Sequence, residues 1–107
     1  MEHPQLQEIL GKLKRHLELL YGDRLASLIL FGSQARKEAR TDSDIDALIV
    51  LTETTEIPAE REAVIDCLAA LCLEYEVLVT CLWTGYEDWQ TRRSPLMLNI
   101  RREGIVV

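Results

Sequence analysis

The sequence predicts an α/β (α+β) domain: a small mixed β-sheet flanked by helices. Three observations carry this. Residues 4–20 and 59–73 repeat apolar side chains at three- and four-residue steps, the spacing of one helical face. Short apolar runs rich in strand formers lie between and after them, at 24–31, 45–51 and 74–82. The connection between the first two runs is short, which makes those strands antiparallel or mixed in pairing.

In the first helix Leu6, Ile9, Leu10, Leu13, Leu17 and Leu20 form the apolar stripe, and Tyr21-Gly22-Asp23 stops it. Arg24 to Phe31 is the first strand. Gly32 to about Glu38 is a short helix, and Ala39 to Ser43 turns the chain back into the second strand, Ile45 to Leu51. Thr52 to Ile57 is a polar link, and Pro58 follows where the first turn of a helix tolerates proline. Ala59 to Leu73 is the second long helix, with Ala63, Val64, Cys67, Leu68, Leu71 and Cys72 on its apolar face. Glu74 to Leu82 reads as a third strand broken by Thr84-Gly85. Tyr86 to Arg93 and Pro95 to Arg102 form one interrupted helix or two short ones, since Pro95 sets a boundary near Ser94. Gly104 ends that segment, and Ile105-Val106-Val107 adds a closing strand.

The 107 residues have room for one core, so residues 1–107 are expected to be a single domain. A content of 48% hydrophobic and 28% charged residues is that of an ordinary soluble globular protein. No apolar run reaches the length of a membrane span. Met1 to Gly11 lacks a signal-peptide pattern, and the expected location is cytoplasmic. The net charge of −6 argues against broad binding to a nucleic-acid backbone. Basic residues do gather, at Arg36, Lys37 and Arg40 and again at Arg92, Arg93, Arg101 and Arg102. The first group lies where it can meet a phosphate; the second reads rather as a solvated helix face. Cys67, Cys72 and Cys81 form no metal-like pair and read as small core residues. His3 and His16 read as solvated helix residues.

The chemistry concentrates between residues 30 and 51. Asp44 and Asp46 stand two apart at the mouth of the second strand, so period-two geometry puts both carboxylates on one face, roughly 6–7 Å apart along the backbone. Like charges so placed repel unless a cation sits between them, and oxygen ligands of this kind suit magnesium, held by one or two carboxylates plus substrate phosphates. Gly32-Ser33, directly after the first strand, adds what such a site needs for phosphate. Glycine permits close backbone approach, and serine offers a hydroxyl and an amide where a helix can start.

Gly32-Ser33, ten residues, then Asp44-Ile45-Asp46, set between two apolar strands, resembles the signature of the polymerase-β-like nucleotidyltransferase superfamily. The surrounding Gly-Ser-x-Ala-Arg and Ser-Asp-Ile-Asp are similar to its minimal nucleotidyltransferase branch. The resemblance implies the polymerase-β-like nucleotidyltransferase fold, with Asp44 and Asp46 holding Mg2+ against the phosphates of ATP. It implies that Gly32 and Ser33 bind the β- and γ-phosphates while Arg36 steadies them. The family's third carboxylate, on the strand after the intervening helix, falls by this resemblance on Glu76, with Glu74 ranked second. Glu76 is then a third metal ligand, or the base that helps deprotonate an acceptor hydroxyl. Glutamate stands there where the family usually has aspartate, and Lys37 where many relatives have glycine.

Relatives of this kind often pair with a small helical HEPN-family protein as toxin and antitoxin, and in some pairs add AMP to a tyrosine of the toxin. The expected activity is therefore Mg-dependent transfer of AMP to a partner's hydroxyl, with the chain as antitoxin. The alternative is an antitoxin that neutralises its partner by binding, with little or no turnover. A free-standing transferase acting on a small molecule also fits the motif, but not the lack of a substrate domain. Tyr86, Trp89, Leu96, Met97 and Leu98 suit an interface, and suit core packing of the late helix equally well.

Overall fold

A computed structural model of the chain describes residues 4–36, 44–53 and 57–107. Helix α1 (Leu6–Tyr21) leads through a 3-10 turn (Gly22–Arg24) to strand β1 (Leu25–Phe31). Helix α2 (Ser33–Arg36) and strand β2 (Ile45–Leu51) follow, then helix α3 (Pro58–Tyr75) and strand β3 (Val79–Gly85). Helices α4 (Tyr86–Thr91) and α5 (Pro95–Glu103) and a two-residue strand β4 (Ile105–Val106) complete the order. The described residues form a four-stranded sheet in the order β3-β2-β1-β4. β2 runs antiparallel to β1 and parallel to β3, while β4 pairs antiparallel with β1.

Alternation along the strands divides the interior in two. On one face Leu28, Leu30, Ile45, Ala47, Ile49 and Val79 pack against the stripe of α1 and the inner side of α3. On the other, Ile29, Leu48 and Val50 pack against Met97 and Ile100 of α5, with Phe31 and Trp89 beside them. β2 is thus covered on both sides, which is why it reads as a nearly continuous apolar run. The opposite end of the sheet from Phe31 is tied by polar contacts: Arg24 reaches both carboxylate oxygens of Glu60, and Trp83 Nε1 donates to Tyr21 Oη at 3.1 Å. The hydrogen bond from Arg24 holds the Glu60 carboxyl below its ordinary range. Among the described residues no helix is long and apolar enough to cross a membrane.

Two expectations need correction. The first concerns the third strand. Glu74 and Tyr75 belong to α3, Glu76 caps it, and β3 begins only at Val79. Tyr75 is buried against α1, its hydroxyl donating to Glu8 Oε2 at 2.7 Å. Lys12 sits 5.0 Å over the same ring and pairs with Glu74 at 2.7 Å, a contact that raises the Lys12 pKa. This packing carries the helix past Leu73. At its other end β3 continues through Thr84 and Gly85, which pair with Val50 and Leu51. The second concerns His16, whose Nε2 is buried with no hydrogen-bond partner among the described residues rather than solvated. His3, the 37–43 stretch of the motif loop and residues 54–56 of the polar link lie outside the described residues.

The late segment resolves into two helices. Ser94 caps α5, its hydroxyl accepting from Met97 N at 3.2 Å, and Pro95 fills the first turn. Arg101 donates to the carbonyl oxygens of Trp89 and Arg92, so part of the second basic group joins α4 to α5 instead of simply meeting solvent. Behind it, Gly104 leaves no space for a side chain: a Cβ there would lie 2.6 Å from Ile29 Cγ2 and strike the Ile100 carbonyl. Gly104→Ala is expected to cost about 1–3 kcal/mol through this overpacking, read as a lower midpoint in thermal or urea unfolding.

The three cysteines are free and partly buried, and each belongs to or flanks the core, as their apolar context predicts. Burial pushes the Cys81 thiol up from 9.0 to about 12. The folded chain therefore keeps its proton where the unfolded chain has lost it. Stability from this source is complete below pH 9 and falls as pH rises toward about 12. Urea unfolding across that range is expected to show a shallower decline for Cys81→Ala than for the unsubstituted chain.

Candidate active site

The site forms where β1 ends and β2 begins. In the antiparallel register Phe31 faces Asp46, so Gly32, the next residue, arrives beside that carboxylate. Gly32 has φ +77, a left-handed conformation that disfavours any side chain. A Cβ built on it would lie 2.8 Å from Asp46 Oδ2. The glycine is thus required twice, for its backbone angle and for the contact. Its carbonyl then accepts from Ala35 N at 3.1 Å and Arg36 N at 3.2 Å, which starts α2 at Ser33.

Asp46 is the second residue of β2, between Ile45 and Ala47, both fully buried. Its own side chain points to the other face and is only partly buried, at the margin of the sheet. Asp44, exposed, stands just before the strand, and the Ile45 amide donates to Leu78 O at 2.9 Å, which fixes the entry of β2 against the approach to β3. In the parallel register the residue beside Asp46 on β3 is Thr80, whose hydroxyl donates to Asp46 Oδ1 at 2.7 Å.

The structure therefore brings Gly32 beside Asp46, with Ser33 next in the chain and Asp44 exposed just before the strand. Arg36, the exposed last residue of α2, leaves the same loop, and its Nη1 lies 3.5 Å from Glu103 Oε2 at the end of α5. Glu76 is placed differently from expectation. It is the left-handed residue that ends α3, with φ 53 and ψ 44, so the strand alternation that would align it with the aspartates has not begun. Glu74, on the last turn of α3, is engaged with Lys12. Among the described residues no three histidine, cysteine or acidic side chains converge in a way that holds a metal ion. Thr80 escapes a reading of the sequence because an isolated threonine in a strand carries no local signal. Counting β3 in the correct register from Val79 is what finds it.

The mixed sheet with helices on both sides is a fold shared with nucleotidyltransferase structures. The chain matches a candidate minimal nucleotidyltransferase with a TM-score of 0.60 and 24% identity, over 95% of both chains. It matches a toxin–antitoxin structure with AMP-PNP with a TM-score of 0.62 and 19% identity, over 90% of this chain and 69% of that one. In sequence it is 30% identical to a candidate protein adenylyltransferase of Methanocaldococcus jannaschii, across 71% of this chain and 76% of that protein. Residues 6–88 match the nucleotidyltransferase domain, and the chain belongs to that family.

The contact between Gly32 and Asp46 is directly testable. Gly32→Ala is expected to destabilise the chain by about 1–2 kcal/mol from the backbone angle, plus a steric part from the carboxylate. In a double-mutant cycle with Asp46→Ala, the steric part disappears, so unfolding free energies are expected to show a non-additive gain.

Proposed function

We propose that this chain transfers AMP from ATP to a hydroxyl of a partner protein, in a Mg-dependent reaction, and acts as the antitoxin of a toxin–antitoxin pair. The observation that carries this reading is the apposition of Gly32 and Asp46: a glycine loop that admits no side chain, turned against a carboxylate at a strand mouth. Family membership, the adenylyltransferase named among its relatives and the toxin–antitoxin complex among its structural neighbours support it.

The residues present fit magnesium. Asp44 and Asp46 supply hard oxygen ligands, and the Asp46 oxygen that is not bonded to Thr80 faces the space beside Gly32. When bound, the ion neutralises negative charge on the nucleotide phosphates and on the departing pyrophosphate. The chain's own residues do the rest by positioning. Gly32 lets the phosphates approach the backbone, Ser33 donates to them through its amide and hydroxyl, and Arg36 turns from Glu103 to steady them. The acceptor oxygen attacks the α-phosphorus, a new P–O bond forms, and the bond to the pyrophosphate oxygen breaks. Glu76, exposed at the end of α3, is the carboxylate proposed to take the hydroxyl proton.

The partner is proposed to be a small helical HEPN-family protein, with tyrosine as the modified residue. Of the late-helix residues, Met97 and Trp89 go to the core, whereas Tyr86, Leu96 and Leu98 stay about half exposed and give a docking surface its apolar part. A second reading, an antitoxin acting by contact alone, is favoured by one observation: no third carboxylate joins the two aspartates among the described residues.

Label transfer from α-labelled ATP with magnesium, using the chain with its co-purified partner, separates the two. Labelled partner is expected, and the label is expected to vanish with Asp44→Ala/Asp46→Ala. Tight complex formation with no label from any of the four nucleotides would establish the contact-only antitoxin instead.

A further inference from the structure

Asp46 has two strand neighbours, Phe31 on β1 and Thr80 on β3. Phe31 offers no polar atom. Thr80 does, and its hydroxyl donates to Asp46 Oδ1 at 2.7 Å, the geometry of a charge-assisted hydrogen bond. The opposite oxygen, Oδ2, is the one that a Cβ at position 32 would strike. One carboxylate oxygen is therefore occupied from β3 and the other presented to the glycine loop. We propose that Thr80 is the positioning residue of this site: its hydroxyl fixes the rotation of the Asp46 carboxylate so that Oδ2 is held toward the metal and nucleotide. The assignment rests on the function proposed above and adds to it a residue outside the Gly-Ser and Asp-x-Asp pattern.

Three features make threonine suited to the task. Its branched Cβ leaves few side-chain rotamers, so the hydroxyl is aimed by the strand itself. It donates to the carboxylate without itself carrying a charge. It is also exposed, at the start of an edge strand, so the bond contributes little to folding. Without it Asp46 stays in place on β2 but its carboxylate turns freely. The ion and the triphosphate then meet a ligand that must be oriented on binding.

The test is binding, not turnover. Titration calorimetry of AMP-PNP in the presence of Mn2+, on the full chain, compares the unsubstituted protein with Thr80→Val and Thr80→Ser, with thermal unfolding of each alongside. Valine keeps the shape and removes the donor; serine keeps the donor. Thr80→Val is expected to bind about tenfold more weakly, equivalent to about 1.4 kcal/mol, with an unchanged melting midpoint. Thr80→Ser is expected to stay close to the unsubstituted affinity. Equal binding by Thr80→Val overturns the assignment, and so does an equal loss in both variants, which would trace the effect to the strand surface. No binding by the unsubstituted chain overturns the reading of the whole site, and the positioning role with it.

Discussion

The constraint on which the rest depends is the double enclosure of β2. It is hydrogen-bonded on both edges and buried on both faces, with Ala47, Ile49 and Val50 at 0% exposure. A strand in that position has no freedom of register, because a slip of one residue would exchange its two faces. Asp46 would then be driven into the core beneath α1 and α3, an unpaired charge in apolar surroundings. The same packing that stabilises the fold therefore sets the angular position of the aspartate. The polar residue is tolerated because it lies at the first full turn of the pleat, where the sheet meets solvent.

Around that strand, the other elements each hold one wall. β1 delivers Gly32, and is itself held from the far side by β4 and by α5, whose C-terminal glycine fits against Ile29. β3 delivers Thr80. The far end of the sheet is tied by Arg24 with Glu60 and Trp83 with Tyr21, and Arg61 stacks 4.5 Å over the Trp83 ring. These ties lie at the end away from the aspartates, while Gly32 and Thr80 stand directly beside Asp46.

Much of this is legible in the sequence where the cause is local. Ile45–Leu51 needs only its own seven apolar-dominated residues and the acidic boundary before it, and β2 has those limits. Pro58, and Ser94 with Pro95, mark helix starts by chemistry that acts within one turn. Glu74-Tyr75-Glu76 fails for the opposite reason. Its polar–apolar–polar alternation looks like the opening of a strand, while Tyr75 is bound by Glu8, 67 residues away, and by Lys12. No local window contains that contact, and it overrides the strand preference of the segment. The late helix shows the same limit more mildly. Met97 and its neighbours Leu96 and Leu98 are equally apolar, and only the position of Ile29, Leu48 and Val50 decides which one is buried.

The way β3 enters the sheet also orders the assembly of the site in time. β1 and β2 are joined by a short antiparallel connection, so Gly32 and Asp46 meet through near-neighbour pairing. β3 lies parallel to β2, which requires the chain to cross over through the whole of α3 first. The bond between Thr80 and Asp46 spans 34 residues, and contacts of that separation wait on loop closure. A nascent or partly folded chain can thus own a glycine loop and an aspartate before it owns an oriented carboxylate. The hydroxyl partner of Asp46 is therefore supplied only by a chain that has completed the crossover.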